Sequence, residues 1–178
     1  IGTTYGMRGN FDLCQDNLNQ AIAVWDSLEH VTPTEKLPGV INLKARSYGN
    51  LGMVCWRKKD HRKALQYDFA AVNLDYKSGF KKTLALHLGN IGRVYESMSN
   101  YDSAMQYELK AMELYKAADD NNGIATIMGY LGNLSLDKKN YPAAEKYLLQ
   151  AVKLSYATGD LYGVMELNDQ LCNLYTLT

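Results

Sequence analysis

The chain has 178 residues, 47% hydrophobic and 21% charged, a composition that excludes a disordered or low-complexity segment. Nineteen basic residues balance nineteen acidic ones, so no net field draws the chain to nucleic acid or to an anionic membrane. Three cysteines, Cys14, Cys55 and Cys172, form no CxxC pair and read as small core residues, not as a disulfide framework or a zinc site.

In chain order, residues 1–29 read as a half repeat. Ile1-Gly2-Thr3-Thr4-Tyr5 closes one helix, and Asn10 is placed to cap a second in which Phe11, Cys14, Leu18, Ala21, Ile22, Trp25 and Leu28 recur at helical spacing. Pro33 and Pro38 break the pattern, so residues 30–39 are expected to form an inserted loop, either a contact site or tolerated slack, with slack expected. Three full repeats then follow at 40–79, 80–119 and 120–159, and a closing half repeat spans 160–178. Each full repeat is a helix, a short polar turn and a second helix. Gly79 and Gly159 stand where the second helix of a repeat should stop, and Pro142 falls in a first turn, where a missing N–H is harmless. No run of eighteen apolar residues is present, and no basic segment leads into a short apolar one, so neither a membrane span nor a signal peptide is visible.

The regularity is what fixes the fold class. Gly52, Gly92 and Gly132 are forty residues apart, as are Ala64, Ala104 and Ala144. The order Ile91-Gly92-Arg93-Val94-Tyr95, a polar turn at Ser99-Asn100, then Tyr101, Ala104 and Ala111 resembles the tetratricopeptide repeat, over the whole chain except residues 30–39. That unit usually has about 34 residues. The spacing here implies longer helices, as in the long-helix variants of scaffold proteins and the sensory regions of bacterial regulators. The resemblance implies an all-α, right-handed superhelical solenoid of antiparallel helix pairs, about nine helices in all with the two half repeats. The small residues let paired helices approach closely, while Tyr67, Tyr101, Tyr107, Tyr141 and Tyr147 fill the wider gaps.

The resemblance further implies a concave groove lined by the first helix of each pair. Carried onto this sequence, it names Arg46, Asn50, Met53, Trp56 and Arg57 in the first full repeat, then Asn90, Arg93 and Glu96, then Tyr130, Asn133 and Asp137, and finally Asn173. Ser97, Leu136, Asp169 and Gln170 fall beside them. Asparagine carboxamides donate to and accept from an extended main chain without reading its side chains, and Arg46 and Arg93 suit a carboxylate or phosphate. Gly49, Gly89 and Gly129 are three helix-interior glycines at one register, each costing about 1 kcal/mol of helix propensity. Either a neighbouring helix or a ligand must approach them closely, and of the two the helix is expected.

His30, His61 and His87 lie on different elements without ligand spacing, so no metal and no cofactor is expected. No nucleophile motif or phosphate loop is present, so an enzyme is not expected. The expected partner is a protein or peptide segment in the groove, with no direct nucleic-acid or membrane contact. The alternative is a structural spacer or a homodimer stacked through the terminal half repeats. The compartment stays open between the cytoplasm and an extracytoplasmic sensory region. If this register is right, Ala104→Trp overpacks a helix pair and lowers stability by about 1–3 kcal/mol, read as a drop in melting temperature.

Overall fold

The computed structural model describes residues 10–178, and the half helix expected within residues 1–9 lies outside them. Among the described residues there are eight helices: α1 Phe11–Val31, α2 Leu37–Arg57, α3 His61–Ser78, α4 Lys81–Ser97, α5 Tyr101–Ala117, α6 Asn121–Asp137, α7 Tyr141–Thr158 and α8 Leu161–Leu177. The fold is all-α, in sequential antiparallel pairs.

A device recurring every twenty residues sets the helix lengths from α2 onward. A left-handed residue closes each helix: Lys59 (φ 62°), Gly79 (74°), Ser99 (58°), Asp119 (49°), Lys139 (56°) and Gly159 (75°). The next residue opens the following helix, and at Asp60, Asn100, Asp120, Asn140 and Asp160 its side-chain oxygen accepts the amide three residues on. Phe80 is the exception, with no side-chain cap. Each cap satisfies one of the orphan amides at a helix start and contributes about 1 kcal/mol.

The loop expected over 30–39 is shorter than the sequence suggested. Helix α1 runs on through Val31 and α2 begins at Leu37, leaving five connecting residues. The physical reason lies in the two prolines. Thr32, preceding Pro33, is driven to extended backbone (φ −79°, ψ 131°) and ends α1, whereas Pro38 sits in the first turn of α2, where it needs no hydrogen bond. The added residues therefore lengthen both helices to 21 residues, against 17 or 18 for the others. The lengthened ends hold each other: Lys44 bridges Asp26 at 2.6 Å and Glu29 at 2.7 Å, and Trp25 Nε1 donates to Ser47 Oγ at 3.2 Å.

The tightest pairs are α2 with α3, α4 with α5, and α6 with α7. In addition α2, α4, α6 and α8 each touch the next in that row, while α1, α3, α5 and α7 make no comparable contact with one another. The largest apolar core lies between these rows and includes Leu88, Ile91, Met112, Ile127, Leu131 and Leu134. Cys14 and Cys55 are buried as expected, but Cys172 is exposed, because no helix covers the outer side of α8.

The glycines at 49, 89 and 129 face neighbouring helices. A methyl on Gly89 would stand 2.9 Å from Ile127 Cδ1, and one on Gly129 2.9 Å from Leu167 Cδ2. On Gly49 it would collide with the His87 imidazole. That ring cannot withdraw, since it is buried and its Nδ1 lies 2.6 Å from Asp75 Oδ2. Gly39, in the first turn of α2, has nothing within 4 Å of such a methyl. Gly49→Ala should therefore lower stability by about 1–3 kcal/mol through overpacking. Gly39→Ala should raise it by about 0.4–1 kcal/mol by restricting the unfolded chain, and thermal unfolding of the two variants beside the parent distinguishes the signs.

Candidate functional site

Three residues of the first row, one each from α2, α4 and α6, meet in a stack. The Arg93 guanidinium carbon lies 4.3 Å from the centre of the Trp56 ring and 4.8 Å from that of Tyr130. Arg93 also donates weakly to the Tyr130 hydroxyl at 3.4 Å. Trp56 is fixed in turn: its Nε1 donates to Ser97 Oγ at 2.7 Å, and that hydroxyl donates to the Arg93 carbonyl at 2.9 Å. Guanidinium–aromatic contacts each contribute about 0.5–2 kcal/mol, more as they lose water. The sequence brought these side chains to one face but left Arg93 free for a ligand anion; the structure commits its guanidinium to two rings.

Beneath the stack lie two carboxyl groups that sequence reasoning missed. Asp68 on α3 and Glu108 on α5 are fully buried, each filling the space left by the glycine of its own pair, Gly52 or Gly92. Neither Glu108 oxygen has a hydrogen-bond partner among the described residues. The Asn90 amide faces Asp68, yet no hydrogen bond of full geometry reaches either Asp68 oxygen. Burial pushes Asp68 well above the usual carboxylate range, against the opposing charge of Arg93. Burial likewise raises Glu108 to about 8, with the charge of Glu96 adding and Arg93 opposing. Glu96 rises to about 7 through burial and then the nearby Asp137. Arg93 is thus the cation around which these acids are gathered. A signal for the missed pair existed: Asp68 falls four residues after Ala64, Glu108 four after Ala104, and Leu148 holds the same position in the next repeat. Charged residues are rarely buried without partners, so composition alone does not mark these two positions as interior.

The other expected residues divide into two groups. Met53 and Asn90 border the stack, and with Trp56, Asp68, Arg93 and Val94 they line a void of about 10 Å³, room for about one water. Asn90 is buried, so its amide serves the interior, not an incoming chain. Asn50 and Asn133 are half-buried, and their amides make no hydrogen bond among the described residues. Arg46, Arg57, Asp137 and Asn173 stand exposed, and no hydrogen bond or ion pair ties them to the stack among the described residues. Farther along the row, a cavity of about 150 Å³ opens between α6 and α8, with Tyr130 and Gln170 in its wall.

The repeat geometry and the comparisons agree. The tetratricopeptide repeat pattern matches residues 82–157 and, separately, residues 45–75. The chain belongs to the tetratricopeptide repeat family. It is a protein-interaction repeat domain, and no catalytic domain is evident among the matched residues. No curated protein sequence matches it. Among solved structures it is similar to the apo form of RapI (TM-score 0.77, 13% identity, 99% of this chain and 65% of that one). It is also similar to aspartyl phosphate phosphatase F from Bacillus subtilis (TM-score 0.78, 12% identity, 99% of this chain and 47% of that one). A third is the tetratricopeptide repeat sensor-bearing signal transduction ATPase with numerous domains from Pyrococcus horikoshii (TM-score 0.65, 17% identity, 94% and 30%). The chain spans less than two thirds of each of these three, and at such identities the likeness is one of fold.

The raised acids give stability a pH dependence with a definite sign. Glu108 keeps its proton in the folded chain up to about pH 8 but loses it near 4.5, the ordinary glutamate value, when unfolded. Between those limits the folded state binds more protons, so stability falls as pH rises. Urea unfolding at pH 5 and pH 8 should show the parent weaker at pH 8. In Glu108→Gln that difference should shrink by at least about 1.4 kcal/mol, the equivalent of one pKa unit.

Proposed function

We propose that this domain is a non-catalytic module that holds a protein or peptide segment along the face of α2, α4, α6 and α8. In this reading the array winds as a right-handed superhelix with that row on its concave side, as the sensory or interaction portion of a longer regulatory protein. The supporting observation is the Trp56–Arg93–Tyr130 stack, which joins corresponding faces of three successive first-row helices into one continuous floor. Contacts along this row and not along the other support its being the inner side of the curve. Asn50 and Asn133 offer unpaired amides on α2 and α6, suited to an extended main chain.

A second reading, self-association, has its own support. Leu161, Met165, Cys172 and Tyr175 recur at helical spacing along an exposed side of α8, and Leu161 is 70% exposed. A helix pair elsewhere in the array would cover that side. Sedimentation over a concentration range tests it: a dimer that Met165→Glu disperses favours stacking through α8, and a monomer throughout removes this reading.

The groove reading is tested with a displayed peptide library panned on the immobilised domain. Peptides should be enriched, and the double variant Asn50→Ala, Asn133→Ala should retain the fold and bind them at least about tenfold more weakly, as expected for losing two net hydrogen bonds of about 1 kcal/mol each. Absence of enrichment, or enriched peptides that bind the double variant equally well, sinks the proposal.

A further inference from the structure

The cavity between α6 and α8 has a chemistry of its own. Its volume of about 150 Å³ is close to that of a single large side chain, and Tyr130 and Tyr162 contribute rings to its wall. Among the polar groups that α8 contributes to its lining are two acceptors, the Glu166 carboxylate and the Gln170 amide oxygen. Gln170 Oε1 is buried and has no hydrogen-bond partner among the described residues, although its amide oxygen is a strong acceptor. Glu166, one turn earlier, lies in the same wall and is close enough to Tyr130 to raise its hydroxyl after burial has done so. Asp160 caps α8 through the oxygen that accepts from Gly163 N at 2.9 Å, and its carboxylate offsets the positive end of that helix.

One cation, Arg93, borders the cavity at the opposite end. Its guanidinium is already held between the rings of Trp56 and Tyr130 and donates to the Tyr130 hydroxyl, so it is committed within the stack. An anion entering would meet Glu166 and Asp160 and would leave the Gln170 oxygen unsatisfied. A cation meets the carboxylates of Glu166 and Asp160, an amide oxygen without a partner among the described residues, and two tyrosine side chains in the wall, groups suited to an ammonium or guanidinium.

Building on the groove reading, we propose that the cavity between α6 and α8 is a subsite for one basic side chain, lysine or arginine, of the segment that the groove holds. Glu166 supplies the charge, Gln170 Oε1 accepts a hydrogen bond at the floor, and Tyr130 and Tyr162 flank the aliphatic stem. The segment then runs along the row with its basic residue at the α8 end.

The test uses three capped amino acids, the N-acetyl methylamides of lysine, norleucine and glutamate, titrated into the ¹⁵N-labelled domain and followed by amide shifts. The lysine compound should perturb Gly129, Tyr130, Gly163 and Gln170. Norleucine, which has the same length without the charge, should bind at least about tenfold more weakly, as befits the loss of a charged hydrogen bond of about 1.5–3 kcal/mol. The glutamate compound should bind no better than norleucine. Glu166→Gln with Gln170→Met should abolish the lysine preference while the spectrum stays that of the folded domain. Equal shifts with lysine and norleucine, stronger shifts with glutamate, or shifts confined to other residues would overturn the subsite. If library peptides still bind the groove in that case, the groove reading stands without it; if no library peptide binds while lysine prefers the cavity, the groove reading falls and the cation site remains.

Discussion

The array depends on side chains that are missing. Each of α2, α4 and α6 carries two glycines three residues apart, at 49 and 52, 89 and 92, and 129 and 132. The first of each pair admits a side chain from the next first-row helix, and the second admits one from the helix's own partner. Six interior glycines sacrifice about 1 kcal/mol each in helix propensity, on the order of 6 kcal/mol together. That is comparable with the whole net stability of a typical domain, about 5–15 kcal/mol. No single helix pair recovers such a loss; it is recovered where neighbours fill the slots. Stability is therefore a property of adjacent repeats together, as nearest-neighbour coupling in solenoids requires.

What fills those slots changes along the chain, and the change locates the site. Gly49, Gly52 and Gly92 receive His87, Asp68 and Glu108, whereas Gly89, Gly129 and Gly132 receive Ile127, Leu167 and Leu148. The first half of the array buries polar groups where the second half buries aliphatic ones. Burying carboxyl groups without full hydrogen bonding is costly, and an aliphatic filler of similar volume is generally the more stable choice. The polar fillers meet the apolar ones at α4, where Arg93 projects between Trp56 and Tyr130. The acids gather around that guanidinium, so the least stable part of the interior lies directly under the most connected part of the surface.

The sequence made the repeat legible because its markers are local and periodic. Gly52, Gly92 and Gly132 with the alanines twelve residues later placed six helices within a few residues of where they lie. The connection at 32–36 is shorter than the two prolines imply, because a proline in a first turn, as Pro38 is, starts a helix as readily as it stops one. Which helices line up along one row was legible from the repeat. Which residues stay free on it was not, because Arg93 and Asn90 are occupied by partners roughly twenty to forty residues away in sequence, a matter of packing that periodicity does not encode. Asp68 and Glu108 were hidden for a related reason: their helical register says inside, their charge says outside, and at these two positions register prevails.

The two ends of the first row differ in how firmly they are held, and that bears on how a segment is received. The middle is braced from three sides, since the stack ties α2, α4 and α6 while α3, α5 and α7 back them. In the proposed groove, a segment arriving there meets a surface that is already ordered and loses less free energy to ordering it. Helix α8 packs on α7 and, through Leu167 in the Gly129 slot, on α6, and its far side is exposed. Helix α8 also forms one wall of the cavity of about 150 Å³ that it shares with α6, so its position sets that cavity's width. In the proposed groove, the braced middle therefore sets the register of a bound chain, and α8, with its far side uncovered, is where the fit is adjusted.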